Sequence, residues 1–254
     1  MEQHRSTGVH RYSMNNRSIE HDQLAIESLI HLVSGSNAIA SLLATPSHLE
    51  CLYVGHAAAE GYGNVSIESI TVEHTASGSW KVSTSTSLTN RIDSDRIITS
   101  SCGACNVDGL DELIEQLPMH GTLHNEFSHS ESYQALQQMR SLQSGFHATG
   151  GMHAAALWTP EKGVMCVAED IGRHNAVDKA IGMGLVQGGI PPHSHLLLSG
   201  RCGWDLVAKA ARSGVGTIVC IGACSTLAAK TARNLGIRIF SFMKPDGCVG
   251  IGHL

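Results

Sequence analysis

Cys102 and Cys105, with Gly103 and Ala104 between them, form the only Cys-x-x-Cys of the chain. Two thiols at this spacing can share one sulfur chemistry: a disulfide, a persulfide or a metal thiolate. The run Cys102-x2-Cys105-x14-His120-x3-His124 falls in the generic window of a zinc site. A zinc finger, however, sets both histidines on one helix. Here Pro118 stands just before His120 and Gly121 lies between the pair. A zinc deaminase needs Pro-Cys-x-x-Cys with a nearby glutamate, yet Ser101 precedes Cys102. A thioredoxin-like motif opens a helix directly after a strand, whereas the helix expected here starts only at Asp108. The pair is expected on an accessible loop, suited to passing sulfur to another molecule.

Hydrophobic residues make up 42% of the 254 residues, enough for a packed core. Lysine and arginine number 17 against 22 acidic residues, which argues against general affinity for nucleic acid or an anionic membrane. No apolar run reaches membrane-spanning length. Residues 1–20 are polar and lack the apolar centre of a signal peptide. They read as an unstructured leader on a cytoplasmic chain. In that compartment eight cysteines are not a disulfide framework. Cys166 and Cys220 lie in apolar runs and read as inert core. Cys51, Cys202, Cys224 and Cys248 receive no role from the sequence.

Residues 21–98 read as a small α+β lobe. Its elements are a mixed strand region from Gln23 to Val33, a helix from Pro46 to Glu60 capped by Ser47, and strands from Val65 to Val72 and Trp80 to Thr84. Residues 99–145 form a connector that carries the cysteine pair and a helix from Ser130 to Leu142. From residue 146 the pattern alternates. Strands are expected at Val164–Ala168, Leu196–Leu198, Thr217–Ile221 and Ile237–Phe242, and helices at Gly172–Met183, Asp205–Ser213 and Thr226–Leu235. Alternation of this kind predicts a parallel sheet with crossover helices, an α/β lobe over 146–254.

Ligands of such sheets bind beyond the carboxyl ends of the strands. The loops falling there carry Arg173, Arg201 and Lys244 beside glycines and helix N-termini, whose free N–H groups favour anions. A phosphate-bearing ligand is the expected occupant. On the Gly172 helix, His174 and Asp178 share a face, as do Asn175 and Lys179.

Three blocks occur in order: Ser101-Cys102-Gly103-Ala104-Cys105, then Phe146 to Leu157 with Thr149-Gly150-Gly151-x-His153, then Glu169-Asp170-Ile171-Gly172-Arg173-His174-Asn175-Ala176-Val177-Asp178-Lys179. Ser199-Gly200-Arg201 follows. Together with Thr45-Pro46 and Glu60-Gly61, these resemble the formate dehydrogenase accessory sulfurtransferase family, over nearly everything after the leader. The resemblance implies a cytidine-deaminase-like three-layer fold without its zinc, and a homodimer. It implies that sulfur comes as a persulfide from a cysteine desulfurase. The sulfur then goes to the molybdenum bis-(molybdopterin guanine dinucleotide) cofactor, whose guanine-nucleotide ends are bound, for use by formate dehydrogenase. By carry-over, Cys102 bears the persulfide and Cys105 is a relay or resolving thiol. Phe242, Met243, Lys244, Pro245, Asp246 and Gly247 match the cofactor-binding segment. Thr149, Gly151, His153, Asp170, Arg173, His174, Ser199 and Arg201 contact the cofactor or organise its site. The chain departs from the pattern at Asn106, where glycine is usual, and at Lys244, where arginine is usual. It also lacks a proline before Thr226 and the usual ending after Cys248. The alternative is a nucleotide-cofactor-binding protein, zinc-stabilised or redox-sensing, that transfers no sulfur.

Overall fold

The computed structural model describes residues 2–14, 16–88, 114–115, 117–120 and 126–252. Cys102, Cys105, Asn106 and His124 lie outside these residues; of the helix expected from Asp108, only Ile114, Glu115 and Leu117 are described, the first two of them helical.

The polar stretch expected to be an unstructured leader is instead an antiparallel hairpin, β1 (His4–Ser13) and β2 (Asn16–Ala25), paired from His4↔Ala25 to Ser13↔Asn16. Its side chains are mostly exposed, so no hydrophobic alternation marks it. The backbone ladder and cross-strand contacts such as Arg11 with Glu20 and Asp22 hold it.

The N-terminal lobe is a four-stranded sheet ordered β4-β3-β6-β5. Its strands are β3 (Ser28–Ser34), β4 (Asn37–Ala44), β5 (Ile70–His74) and β6 (Trp80–Thr84). The strand expected at Val65–Val72 is a 3₁₀ turn, Ile67–Ser69, leading into β5. Helix α1 (Leu49–Ala59) closes the sheet's apolar face, burying Leu49, Leu52 and Tyr53 against Ile30, Leu32 and Leu42. Ser47 does not cap it. The cap position is His48, in left-handed conformation at φ 51°, with no side-chain capping bond, while Ser47 is buried.

The C-terminal lobe is a six-stranded sheet ordered β12-β11-β10-β9-β7-β8. Its strands are β7 (His153–Thr159), β8 (Gly163–Asp170), β9 (His195–Leu198), β10 (Thr217–Cys220), β11 (Arg238–Lys244) and β12 (Gly247–Ile251). It is mixed, which corrects the all-parallel expectation. β9, β10 and β11 are parallel, but β7 sits antiparallel between β8 and β9, and β12 is antiparallel to β11. The four strands read from the sequence still share one direction, because two antiparallel pairings relate β8 to β9. Their carboxyl ends therefore meet at one edge, joined there by His153 at the start of β7.

Side chains alternate across this sheet. Ala155, Leu157, Leu196, Leu198 and Ile218 face α4 (Arg173–Val186), α5 (Trp204–Arg212) and α6 (Thr226–Leu235). Ala154, Ala156, Trp158, Leu197, Val219 and Phe240 face α2 (His129–Ser141). Short helix α3 (Ser144–Thr149) leads into β7. The result is a three-layer α/β lobe.

The lobes meet where α1 packs along α4, backbone to backbone. A Cβ on Gly55 would stand 1.7 Å from the Asp178 carbonyl oxygen, and one on Gly182 would stand 1.9 Å from that of Cys51. Only glycine at both positions permits the approach.

Candidate functional site

The block Glu169 to Lys179 divides into residues that face the seam between the lobes and residues that face a cavity. At the seam, Lys179 is wholly buried. Its ammonium donates to Asp170 Oδ2 at 2.6 Å and to the Thr45 carbonyl at 2.8 Å. Burial pulls this ammonium below the ordinary lysine value, and Asp170 opposes the shift. Asp170 also accepts from the amides of Thr45 (3.0 Å) and Gly172 (2.8 Å) and from Asn175 Nδ2 (3.0 Å). Asn175 donates further to the Leu43 carbonyl at 2.8 Å. Glu169 turns the other way and accepts from the amides of Gly145 and Phe146, at the N-terminus of α3.

A second buried cluster adjoins the first. Asp178 contacts His56 Nδ1 at 2.9 Å and Lys209 Nζ at 2.6 Å, and Lys209 reaches Glu60 Oε1 at 2.7 Å. Burial alone would raise the Glu60 pKa, but Lys209, with His56 and Arg212, brings it down to about 2. Burial likewise opposes the Lys209 charge, yet Asp178 and Glu60 hold its ammonium above the ordinary value.

These charges form one wall of a cavity of about 520 Å³ between the lobes. The first turns of α4 and α5, with Arg173, His174, Trp204 and Asp205, line it too. The caps of both helices, Gly172 and Gly203, offer no side-chain acceptor, so their N–H groups and helix dipoles suit an anion. His174 pairs with Asp205. Three buried polar atoms on this cavity have no hydrogen-bond partner among the described residues: His56 Nε2, His174 Nδ1 and Trp204 Nε1. Buried polar atoms are rarely left so, and a ligand would satisfy them. His153 joins this cavity to a second one of about 330 Å³, lined by Arg140, Phe146, Gly151 and Ser199. Burial, then Arg173 and Arg201, lower the His153 pKa below the ordinary histidine value. A neutral imidazole thus lies close to two guanidinium groups.

The residues singled out in the sequence sort accordingly. Arg173, His174 and His153 reach the larger cavity, and Gly151, Ser199 and His153 the smaller. Ser199 Oγ accepts from the Ala154 amide, and Thr149 Oγ1 accepts from that of Gly151. The Arg201 side chain is exposed. Asp170 is 0% exposed and accepts four hydrogen bonds, which fills its lone pairs, so of its two expected roles the structure fits the organising one: it fixes the lobes together beside the cavity. Asn175, Asp178 and Lys179 likewise form buried contacts between the lobes and not surface pairs. Phe242 to Gly247 is not a loop beyond the last strand but the bulged end of β11 and its hairpin turn into β12. It lines neither cavity. Phe242 nevertheless stands out, with φ 52° and a ring 47% exposed. A bulky residue in this region is an outlier that usually marks function. Met243 is buried, while Lys244, Pro245 and Asp246 are exposed. The sequence did not single out His56, Trp204, Asp205 or Lys209. Only Glu60-Gly61 pointed towards that wall.

The fold and the site define a class: a two-lobed α/β protein with an anion-favouring cavity at the sheet edge between its lobes. Within that class the chain belongs to the FdhD/NarQ family, whose model matches residues 25–249. It is 30% identical to "Sulfur carrier protein FdhD" of Bordetella parapertussis over 248 residues, covering 91% of this chain and 86% of that one. A shorter match to the protein of the same name from Nocardia farcinica is 37% identical over 155 residues, covering 59% of this chain and 54% of the relative. A crystal structure described as a formate dehydrogenase accessory protein, from Desulfotalea psychrophila, has the same fold. Its TM-score is 0.75 at 21% identity, and the match covers 98% of this chain and 96% of that one. Among the described residues no helix is long and apolar enough to cross a membrane.

Proposed function

We propose that this chain is a sulfur carrier, with sulfurtransferase activity, in the maturation of formate dehydrogenase. The Cys102 thiolate attacks the outer sulfur of a cysteine desulfurase persulfide, takes that sulfur and releases the desulfurase thiolate. Cys105 then relays or resolves it. The acceptor is the molybdenum bis-(molybdopterin guanine dinucleotide) cofactor, and the chain works as a homodimer in the cytoplasm. The observation that carries this reading is the family match, which spans both the cysteine pair and the cavity.

The site's chemistry supports the same reading. Arg173, Arg201 and the two uncapped helix N-termini suit a pyrophosphate, and the unpartnered His56, His174 and Trp204 atoms suit a polar base. Phe242 offers an exposed ring for stacking, with Lys244 nearby in sequence. Strands β8 and β11 are four steps apart in the sheet, roughly 19 Å at about 4.8 Å per strand. Two separate stations along one edge would accommodate a cofactor with two nucleotide ends.

The test is intact-protein mass spectrometry without reductant, after incubation with a cysteine desulfurase and cysteine. Wild type and Cys105→Ser should gain sulfur, and Cys102→Ser should not. If all three stay unmodified and carry zinc instead, the non-transferring alternative holds.

A further inference from the structure

We propose that Cys202 and Cys224 form a second thiol site, a dithiol that exchanges with low-molecular-weight disulfides and closes to an intramolecular disulfide. It is independent of Cys102 and Cys105 and does not rest on the sulfur-carrier reading.

The geometry comes from the edge of the C-terminal sheet. Hydrogen bonding between β9 and β10 continues past the strands, through the Ile221 amide to the Leu198 carbonyl (3.2 Å) and the Gly222 amide to the Gly200 carbonyl (3.0 Å). It ends in an isolated parallel bridge that pairs Cys202 with Cys224. The Cys202 amide donates to the Ala223 carbonyl at 2.9 Å, and the Ser225 amide donates to the Cys202 carbonyl at 3.1 Å. Residues paired across adjacent strands stand about 5 Å apart at Cα, inside the window of about 4.4–6.8 Å that a disulfide requires. The two thiols are close enough to influence each other, while their hydrogens point to the Gly203 carbonyl (3.8 Å) and the Ser225 carbonyl (3.4 Å).

Their environments divide the labour. Cys224 is partly exposed, and the neighbouring Cys202 thiol lowers its pKa below the ordinary value, with help from Arg233. It is the entering nucleophile. Cys202 is buried, and the neighbouring Cys224 together with burial holds it protonated, so it acts second. Cys220 lies close by, but burial pushes its thiol up to about 12, and it takes no part.

The exchange balances. The Cys224 thiolate attacks one sulfur of a disulfide RSSR and releases RS⁻, leaving a mixed disulfide. Cys202 gives its proton to the departing thiolate and attacks the Cys224 sulfur. The Cys202–Cys224 bond forms and the second RS⁻ leaves, taking a proton from water. The external disulfide is reduced and the pair is oxidised. The bond would clamp together the loops that lead into α5 and α6, beside Arg201.

The test is peptide mapping of the folded full chain after incubation with oxidised glutathione and rapid alkylation. It is run on wild type and on the Cys102→Ser, Cys105→Ser double variant. The expected product has lost two hydrogen atoms and joins the tryptic peptides Cys202–Lys209 and Ser213–Lys230. The join persists in Cys220→Ala, is absent from Cys224→Ser, and reverses with dithiothreitol without denaturant. A join that disappears in Cys220→Ala would overturn the proposal. So would a lasting glutathione adduct on Cys224, or a join that forms only in denaturant. In the wild-type map, fragment ions from cleavage between Cys220 and Cys224 assign the bond even where a variant fails to fold.

Discussion

The seam between the lobes and the rim of the cavity draw on the same eleven-residue block but treat their charges in opposite ways. At the seam, Asp170, Lys179, Asp178 and Lys209 are buried and tied to groups within the protein. At the rim, the like-charged Arg173 and Arg201 lie near the neutral His153, and three buried polar atoms of the cavity have no partner among the described residues. A motif can thus be specific over its whole length while only part of it meets the ligand. Alternate residues of one strand end and one helix start hold the lobes together or line the space between them.

The comparison breaks if seam residues can be removed without loss of stability. Lys179→Ala leaves the Asp170 carboxylate buried without its cation and should cost about 3–5 kcal/mol in urea unfolding. Acid should act on the neighbouring cluster. The Glu60 carboxyl falls from 4.5 to about 2 in the folded protein, so its charged form stabilises the fold above about pH 4.5. That contribution, about 3 kcal/mol at neutral pH, is lost as pH falls from about 4.5 towards 2. Glu60→Gln should flatten the stability profile over that window. Gly182→Ala forces α4 away from α1 and should cost about 1–3 kcal/mol, measured by thermal melting. Arg173→Ala sharpens the comparison from the rim side. It should change stability by under about 0.5 kcal/mol. Calorimetric affinity for guanosine diphosphate should nevertheless fall about tenfold, as expected for the loss of one charged hydrogen bond.

Much of this was legible where the signal is local. The helices expected at Asp205–Ser213 and Thr226–Leu235 follow from their apolar spacing, and the helix expected at Gly172–Met183 and the common edge of four strands follow from strand–helix alternation. The insertion of β7 between β8 and β9 was not legible. Ala154 to Trp158 is apolar on both faces and carries no mark of direction. The hairpin at residues 4–25 has no buried face to create a pattern. The seam escaped because its bonds join residues far apart in sequence: His56 and Asp178 are separated by 122 positions. For Asn175 and Lys179 the sequence showed only a shared face, because helix spacing does not show what covers that face. Cys202 and Cys224 belong to loops that only the register of β9 and β10 brings together.

The most direct test of the account is a sulfur chase. The chain is loaded with radioactive sulfur by a cysteine desulfurase, separated from it, and mixed with the molybdenum bis-(molybdopterin guanine dinucleotide) cofactor. The account predicts that label leaves the wild-type chain for the cofactor, and that Arg173→Ala loads normally but transfers more slowly. Label that never enters Cys102, or that stays on the chain in the presence of the cofactor, would contradict it.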